Sequence, residues 1–319
     1  MNNFDEKKYI NDFCTKIKKK IYEKIVISVS GGIDSTTSAA LLKKSGVDYE
    51  VLLMNTGYLR KNEIREVKLM FKKLQYDLKI LDKKKEFYSA LRGISDPKTK
   101  RHVFREKYFE IFSNYLIENN IRYIAQGTQF WNNQSKIYHN CPTEKFNKQK
   151  LHVIEPVNGL SKNYIKKLAK KLELPEEVVN RRPFPGPGLL IRFGGDFNLK
   201  KLKTIQEATF IVDKFVEAHK KSFNDCYQIF PYLSDCTPVT YIDKKSEGSL
   251  GQIIVIRAVK QKIKDDTIEY VPFVLNKDLT DKLVEKLMEL KGIGRVCFDM
   301  TPKLGFGSNV KSGATIEYI

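Results

Sequence analysis

The stretch KIVISVSGGIDSTTSAALLKKSG, residues 24–46, restricts the fold more than any other part of this chain. A short β-branched run (24–29) passes through Ser-Gly-Gly into a helical pattern over 35–44 that stops at Gly46. Two glycines at such a turn let a ligand approach the backbone closely. The helix start adds unpaired N–H groups and the positive end of its dipole, so an anion is the natural occupant. No lysine stands where a Walker-type loop would carry one. Ser30, Ser35 and Thr36 supply hydroxyl donors, whereas Asp34 would repel bare phosphate unless a Mg²⁺ lay between them. The plainer alternative is an ordinary strand-to-helix turn in which Ser and Asp cap the helix.

The pattern then repeats. Strands at 49–55, 77–81 and 121–126 alternate with helices over about 61–74 and 98–119. In the second of these helices Phe104, Tyr108, Ile111, Phe112 and Tyr115 recur at helical spacing and make an inner face. Alternation of this kind predicts an α/β fold, a doubly wound parallel sheet with helices on both sides and ligands at the carboxyl ends of the strands. From 129 to about 155 the pattern fails in a polar, uneven segment long enough to be a lid or disordered. A helix (161–172) and the rigid run RRPFPGPGLLIRFGG follow. Beyond it come a long helix (199–220), β-rich runs at 227–233, 251–260, 267–273 and 294–300, and a helix at 277–290. These predict a small α+β second domain, with residues 1–190 forming the first domain and 191–319 the second.

Composition narrows the setting. The 319 residues are 41% hydrophobic, enough for two cores, yet no apolar run is long enough to span a membrane. The N-terminus lacks an apolar h-region, so no secretory signal is expected. Cys14, Cys141, Cys226, Cys236 and Cys297 are scattered, which argues for a reducing, cytoplasmic compartment and against a zinc site. A formal charge of +19 attracts polyanions, nucleotides and nucleic acid included. The lysines are spread along the chain and mainly solvate helix faces, but an RNA partner stays open.

The Ser-Gly-Gly-x-Asp-Ser loop after the first strand resembles that of the N-type ATP pyrophosphatases. That resemblance implies an adenine nucleotide alpha-hydrolase-like fold and cleavage of ATP to AMP and pyrophosphate, with adenylation of a carbonyl oxygen that a nitrogen or sulfur nucleophile displaces. Further along, NTGYLRKNE (55–63), ALRGISDPKTKR (90–101), AQGT (125–128), LELPEEVVNRRPFPGPGLLIR (172–192), VIRAV (255–259) and ATIEYI (314–319) resemble the GMP synthetase family, in order and over nearly the whole chain. In that family XMP is adenylated and ammonia from a glutaminase displaces AMP, with ATP and Mg²⁺ required. The resemblance therefore implies a separate glutaminase subunit or free ammonia, and a homodimer formed through the second domain.

Carried over residue by residue, Ser30, Gly31, Gly32, Asp34, Ser35 and Thr36 match the pyrophosphate and Mg²⁺ site. Val29, Met54 and Gly127 stand where the family frames adenine and ribose, and Lys162 where it keeps a lysine for the ATP phosphates. Lys136, His139 and Asn140 match part of a lid motif whose imidazole can position or deprotonate the nucleophile. Pro185 and Gly186, in the stiff Pro-Gly corner, and Arg192, Lys311, Thr315, Ile316 and Glu317 align with substrate contacts. Lys303 is an alternative to Lys311.

The chain departs from the family around the lid. QFWNNQS replaces a segment that normally carries two acids, and Tyr138 replaces the first lid histidine. NGLSKNYIKK replaces a charged helix entry, KQKIKDDTIEY a Met-Thr-Ala stretch, and PKLGFGSNVKSGA the terminal Lys-Pro-Pro-Gly. Cys141 directly follows His139-Asn140, and a cysteine near an imidazole can act as a thiolate. The leading expectation is amidation of XMP. The alternatives are a sibling that adenylates another purine nucleotide, such as GMP, and transfers sulfur through Cys141, an RNA-thiolating relative, and a non-enzymatic nucleotide-binding regulator.

Overall fold

The computed structural model describes residues 4–128, 143–235, 239–243, 246–264 and 267–301. The lid residues Lys136, His139, Asn140 and Cys141, and Lys303, Lys311, Thr315, Ile316 and Glu317, lie outside them. Two compact units are formed, one from residues 1–57, 62–90 and 104–186, the other from 58–61, 91–103 and 187–319.

The first unit begins with α1 (Glu6–Lys20), to which the sequence analysis assigns no element. Asp5 caps it by accepting from the Lys8 N–H, Glu6 lies in its first turn and Lys18–Lys20 in its last. Then follow β1 (Ile25–Ser28), α2 (Ile33–Ser45), β2 (Tyr49–Asn55), α3 (Glu63–Lys73), β3 (Leu78–Asp82), α4 (Lys84–Ala90), α5 (Pro97–Glu118) and β4 (Tyr123–Ala125). The set closes with α6 (Thr143–Lys148), β5 (His152–Ile154), α7 (Lys162–Lys171) and α8 (Glu176–Val179).

All five strands are parallel, in the order β3-β2-β1-β4-β5. The chain runs outward from β1 through β2 and β3, then returns to place β4 on the other side of β1. This reversal opens a crevice at the carboxyl ends of β1 and β4. Ile25, Ile27, Val51 and Leu53 pack on one side with Leu41, Leu42, Ile165 and Leu168. The alternate residues Val26 and Leu52 are equally buried, so both faces are covered, as a doubly wound sheet requires. On that second face the Ser28 and Tyr108 hydroxyls are hydrogen-bonded, which seats α5 there. Phe104, Ile111, Phe112, Tyr115 and Leu116 are among its buried side chains.

One expectation needs correction. The segment 129–155 is not wholly an irregular lid, because His152–Ile154 pairs beyond β4 as a fifth strand. Three residues flanked by polar loops are too few to show a period-2 pattern.

The second unit carries α9 (Leu199–Ala218), β6 (Gln228–Leu233), β7 (Val239–Asp243), β8 (Ser246–Lys264), β9 (Thr267–Pro272), α10 (Lys277–Met288) and β10 (Ile293–Asp299). The long β8 is its spine, pairing antiparallel with β6, β7 and β9 and parallel with β10. Leu202, Ile205, Val212 and Phe215 of α9 and Leu279, Leu283 and Leu287 of α10 are buried at helical spacing. Among the described residues no helix is long and apolar enough to cross a membrane.

A lysine of α5, whose residues 97–103 belong to this second unit, is buried in its interior. Lys100, 1% exposed, donates to the backbone carbonyls of Phe193 (3.1 Å) and Gly195 (2.6 Å), and its ammonium lies over the Phe193 ring. Burial pushes its pKa from 10.5 down to about 8, nearby Lys201 adds to the shift, and Asp235, Asp196 and Asp96 oppose it. The unfolded chain therefore binds more protons than the folded one between pH 8 and 10.5, and this group's contribution to stability rises with pH across that window. In urea unfolding, wild type should gain stability relative to Lys100→Met as pH rises through the window. A difference that stays constant with pH would contradict this account of Lys100.

Candidate active site

The turn after β1 carries the most concentrated polar geometry of the first unit. Gly32 occupies the N-cap position of α2 and no side chain caps the helix, so the first-turn amides are not claimed from within. Inside the loop the hydrogen bonds are long. Ser30 N–H donates to Ser35 Oγ at 3.2 Å, Gly32 N–H to Ser30 Oγ at 3.3 Å, and Ser35 Oγ to the Gly32 carbonyl at 3.2 Å. Contacts at this end of the distance range yield to a better acceptor. Thr36 is fully buried, and its Oγ1 has no hydrogen-bond partner among the described residues. That placement differs from the open donor expected of Thr36.

Lys162 is brought to this loop by α7. Its Nζ lies 2.7 and 2.6 Å from the two carboxylate oxygens of Asp34. It occupies the first position of α7, behind the Ser161 cap, where the helix dipole disfavours a cation. Asp34 compensates for that placement. With side chains 45% and 29% exposed, the pair is worth about 0–1 kcal/mol, so a polyanionic ligand can open it readily.

Gly127, just past β4, closes the other side of the crevice. A Cβ there would fall 2.7 Å from the Ser35 backbone nitrogen and 2.9 Å from the Asp34 carbonyl carbon. Val29 and Met54 stand at the carboxyl ends of β1 and β2, but each is only 3% exposed, so what they offer a ligand is backbone. The structure thus gathers Ser30, Gly31, Gly32, Asp34, Ser35, Lys162 and Gly127.

Behind the loop are two residues the sequence analysis did not single out. Arg181 donates to the Gly31 carbonyl at 3.0 Å and to Glu63 Oε1 at 2.7 Å, and both side chains are largely buried. Glu63 reads as an ordinary first-turn acid and Arg181 as one of two arginines before a proline, so only their meeting distinguishes them.

Pro185 and Gly186 lie in the non-helical run that follows α8. The glycine that this run requires by geometry is Gly188, in the second unit, where φ is +64° and a Cβ would fall 2.3 Å from the Tyr58 carbonyl oxygen. Arg192 ends a short 3-10 turn there (Gly188–Arg192), 3% exposed, with its guanidinium carbon 3.3 Å from the centroid of Phe230.

Comparison with known proteins decides the family. A family model described as NAD synthase matches residues 6–186. Over 94% of its length this chain is 32% identical to one subunit of the glutamine-hydrolyzing GMP synthase of Methanopyrus kandleri, and 97% of that subunit is covered. The chain belongs to the GMP synthase family. The corresponding subunit from Methanocaldococcus jannaschii is 33% identical with the same coverage. The glutamine-hydrolyzing GMP synthase of Thermotoga petrophila is 29% identical over 88% of this chain and 58% of its own. Among solved structures, the NMN synthetase of Francisella tularensis has 16% identity and a TM-score of 0.45, with 70% of this chain and 96% of that one covered. At that score the likeness adds nothing to the topology described above.

Gly127→Ala tests the crevice wall. The new methyl meets backbone on α2, which cannot move aside as a side-chain tip would, so the variant should lose about 1–3 kcal/mol of stability. Its nucleotide affinity should fall as well. A variant with unchanged melting temperature and nucleotide affinity would mean that Gly127 does not set the spacing.

Proposed function

We propose that this chain is the ATP pyrophosphatase component of a GMP synthase: it adenylates the C2 carbonyl oxygen of XMP, releasing pyrophosphate, and ammonia displaces AMP to give GMP. The observation that carries this reading is the meeting of Lys162 with Asp34 at the Ser30–Thr36 loop in a member of the GMP synthase family. Loop amides and the hydroxyls of Ser30 and Ser35 hold the pyrophosphate portion of ATP. Lys162 transfers from Asp34 to the phosphates and stabilises the charge that builds on the leaving group. Val29, Met54 and Gly127 border the adenosine.

Among the described residues no group of three His, Cys, Asp or Glu side chains could cage a metal ion. Asp34 is the residue that would hold Mg²⁺ here, a carboxylate being the protein ligand this ion takes when it accompanies a nucleotide. When bound it would neutralise phosphate charge. Lys136, His139 and Asn140 orient the ammonia, and Pro185, Gly186, Arg192, Lys311, Thr315, Ile316 and Glu317 serve the XMP site. Lys303 remains the alternative to Lys311.

A separate glutaminase supplies ammonia, in keeping with the archaeal relatives' designation as one subunit of a glutamine-hydrolysing enzyme. The second unit mediates homodimerisation, and the dispersed cysteines Cys14, Cys226 and Cys297, none of them in a disulfide, suit a cytoplasmic setting. The designation of these relatives as GMP synthase does not favour sulfur transfer through Cys141.

The test is pyrophosphate release from Mg·ATP with XMP, GMP, IMP or no acceptor, each with and without ammonium. Release should require XMP, and GMP should form only with ammonium. Asp34→Asn and Lys162→Met should each lower the rate by roughly 10²-fold or more. Release driven by another acceptor, or full activity in either variant, would overturn the assignment.

A further inference from the structure

We infer that Arg181 is a positioning residue for pyrophosphate: it holds the Gly31–Gly32 peptide from behind, so that its N–H faces into the loop. The inference rests on the ATP reading of that loop given above.

In a trans peptide the carbonyl and the N–H point in opposite directions. The Gly31 carbonyl accepts from Arg181 Nη1 at 3.0 Å, and the Gly32 N–H of the same peptide donates to Ser30 Oγ at 3.3 Å. Drawing the carbonyl toward Arg181 therefore turns the N–H toward the loop hydroxyls. A phosphate oxygen is a stronger acceptor than a hydroxyl and would displace that long bond.

Two features make the hold specific. The guanidinium is a rigid planar fork, and its second nitrogen donates to Glu63 Oε1 at 2.7 Å, so α3 fixes the arginine while the arginine fixes the loop. Glu63, 3% exposed, also neutralises Arg181, which keeps that charge from drawing the anion to the wrong side of the loop. Gly31 adopts φ +74°, and a Cβ there would lie 2.5 Å from Arg181 Nη1 and 2.7 Å from Val67 Cγ2. The guanidinium fills the space that any side chain at position 31 would need. Lysine has one point charge and no fork, so it cannot hold both acceptors in this geometry.

The experiment is calorimetric titration of the full chain with Mg·pyrophosphate and, separately, with AMP, for wild type, Arg181→Met and Arg181→Lys. Loss of one charge-assisted contact that orients a donor should weaken pyrophosphate roughly tenfold or more in Arg181→Met. AMP affinity should change far less, and Arg181→Lys should fall between. Should Arg181→Met fail to fold, Arg181→Lys carries the same comparison, because it keeps a cation beside Glu63. Equal loss of both ligands, or unchanged pyrophosphate affinity in a folded variant, overturns the inference. A wild type that binds AMP but no pyrophosphate would instead overturn the reading of the loop itself, and this inference with it.

Discussion

The start of α2 is pressed against backbone on one side and held by an arginine on the other, and the first unit is arranged around that fixed point. Gly127 leaves no room for a methyl group beside Ser35, and Arg181 leaves none beside Gly31. Between these contacts the loop's own hydrogen bonds are long and its helix is uncapped. The protein thus uses its rigidity to fix the position of the donors and leaves their bonding capacity for a ligand, which is how preorganised electrostatic sites work. The parallel sheet supplies the platform, since both β1 and β4 end at this crevice.

Charge completes the arrangement. The loop has no lysine of its own, and α7 presents Lys162 beside it at the helical position where a cation is least welcome. Its pairing with Asp34 offsets that placement and remains weak enough to open. Behind the loop, the better-buried pair of Arg181 and Glu63 is suited to staying closed. In the proposed reaction the first pair would exchange partners when substrate arrives, while the second holds the frame.

Much of the fold was legible in the sequence because strand-to-helix alternation is a local signal. β1, α2, β2 and α5 are long or strongly patterned enough to declare themselves. β5 is too short for this, because three residues carry no period. In the site, the loop was visible as a contiguous motif. Lys162 entered only through resemblance, although a lysine just after a serine cap is an off-pattern residue that physics alone could have marked. Arg181 and Glu63 lie inside motifs that carry the family resemblance, yet nothing in the sequence pairs them, because their significance lies in a meeting of segments far apart in the chain. Thr36 shows the limit of motif reading from the other direction: the motif names its hydroxyl, while burial decides what that hydroxyl can reach.

The central claim is that ATP is used to activate the acceptor's carbonyl oxygen and not to transfer its terminal phosphate. The most direct measurement follows ¹⁸O from the C2 carbonyl of labelled XMP during turnover with Mg·ATP and ammonium. The account predicts that the label appears in AMP, carried by the oxygen that bridged the two nucleotides. Label in orthophosphate, or AMP free of label while GMP accumulates, would contradict it.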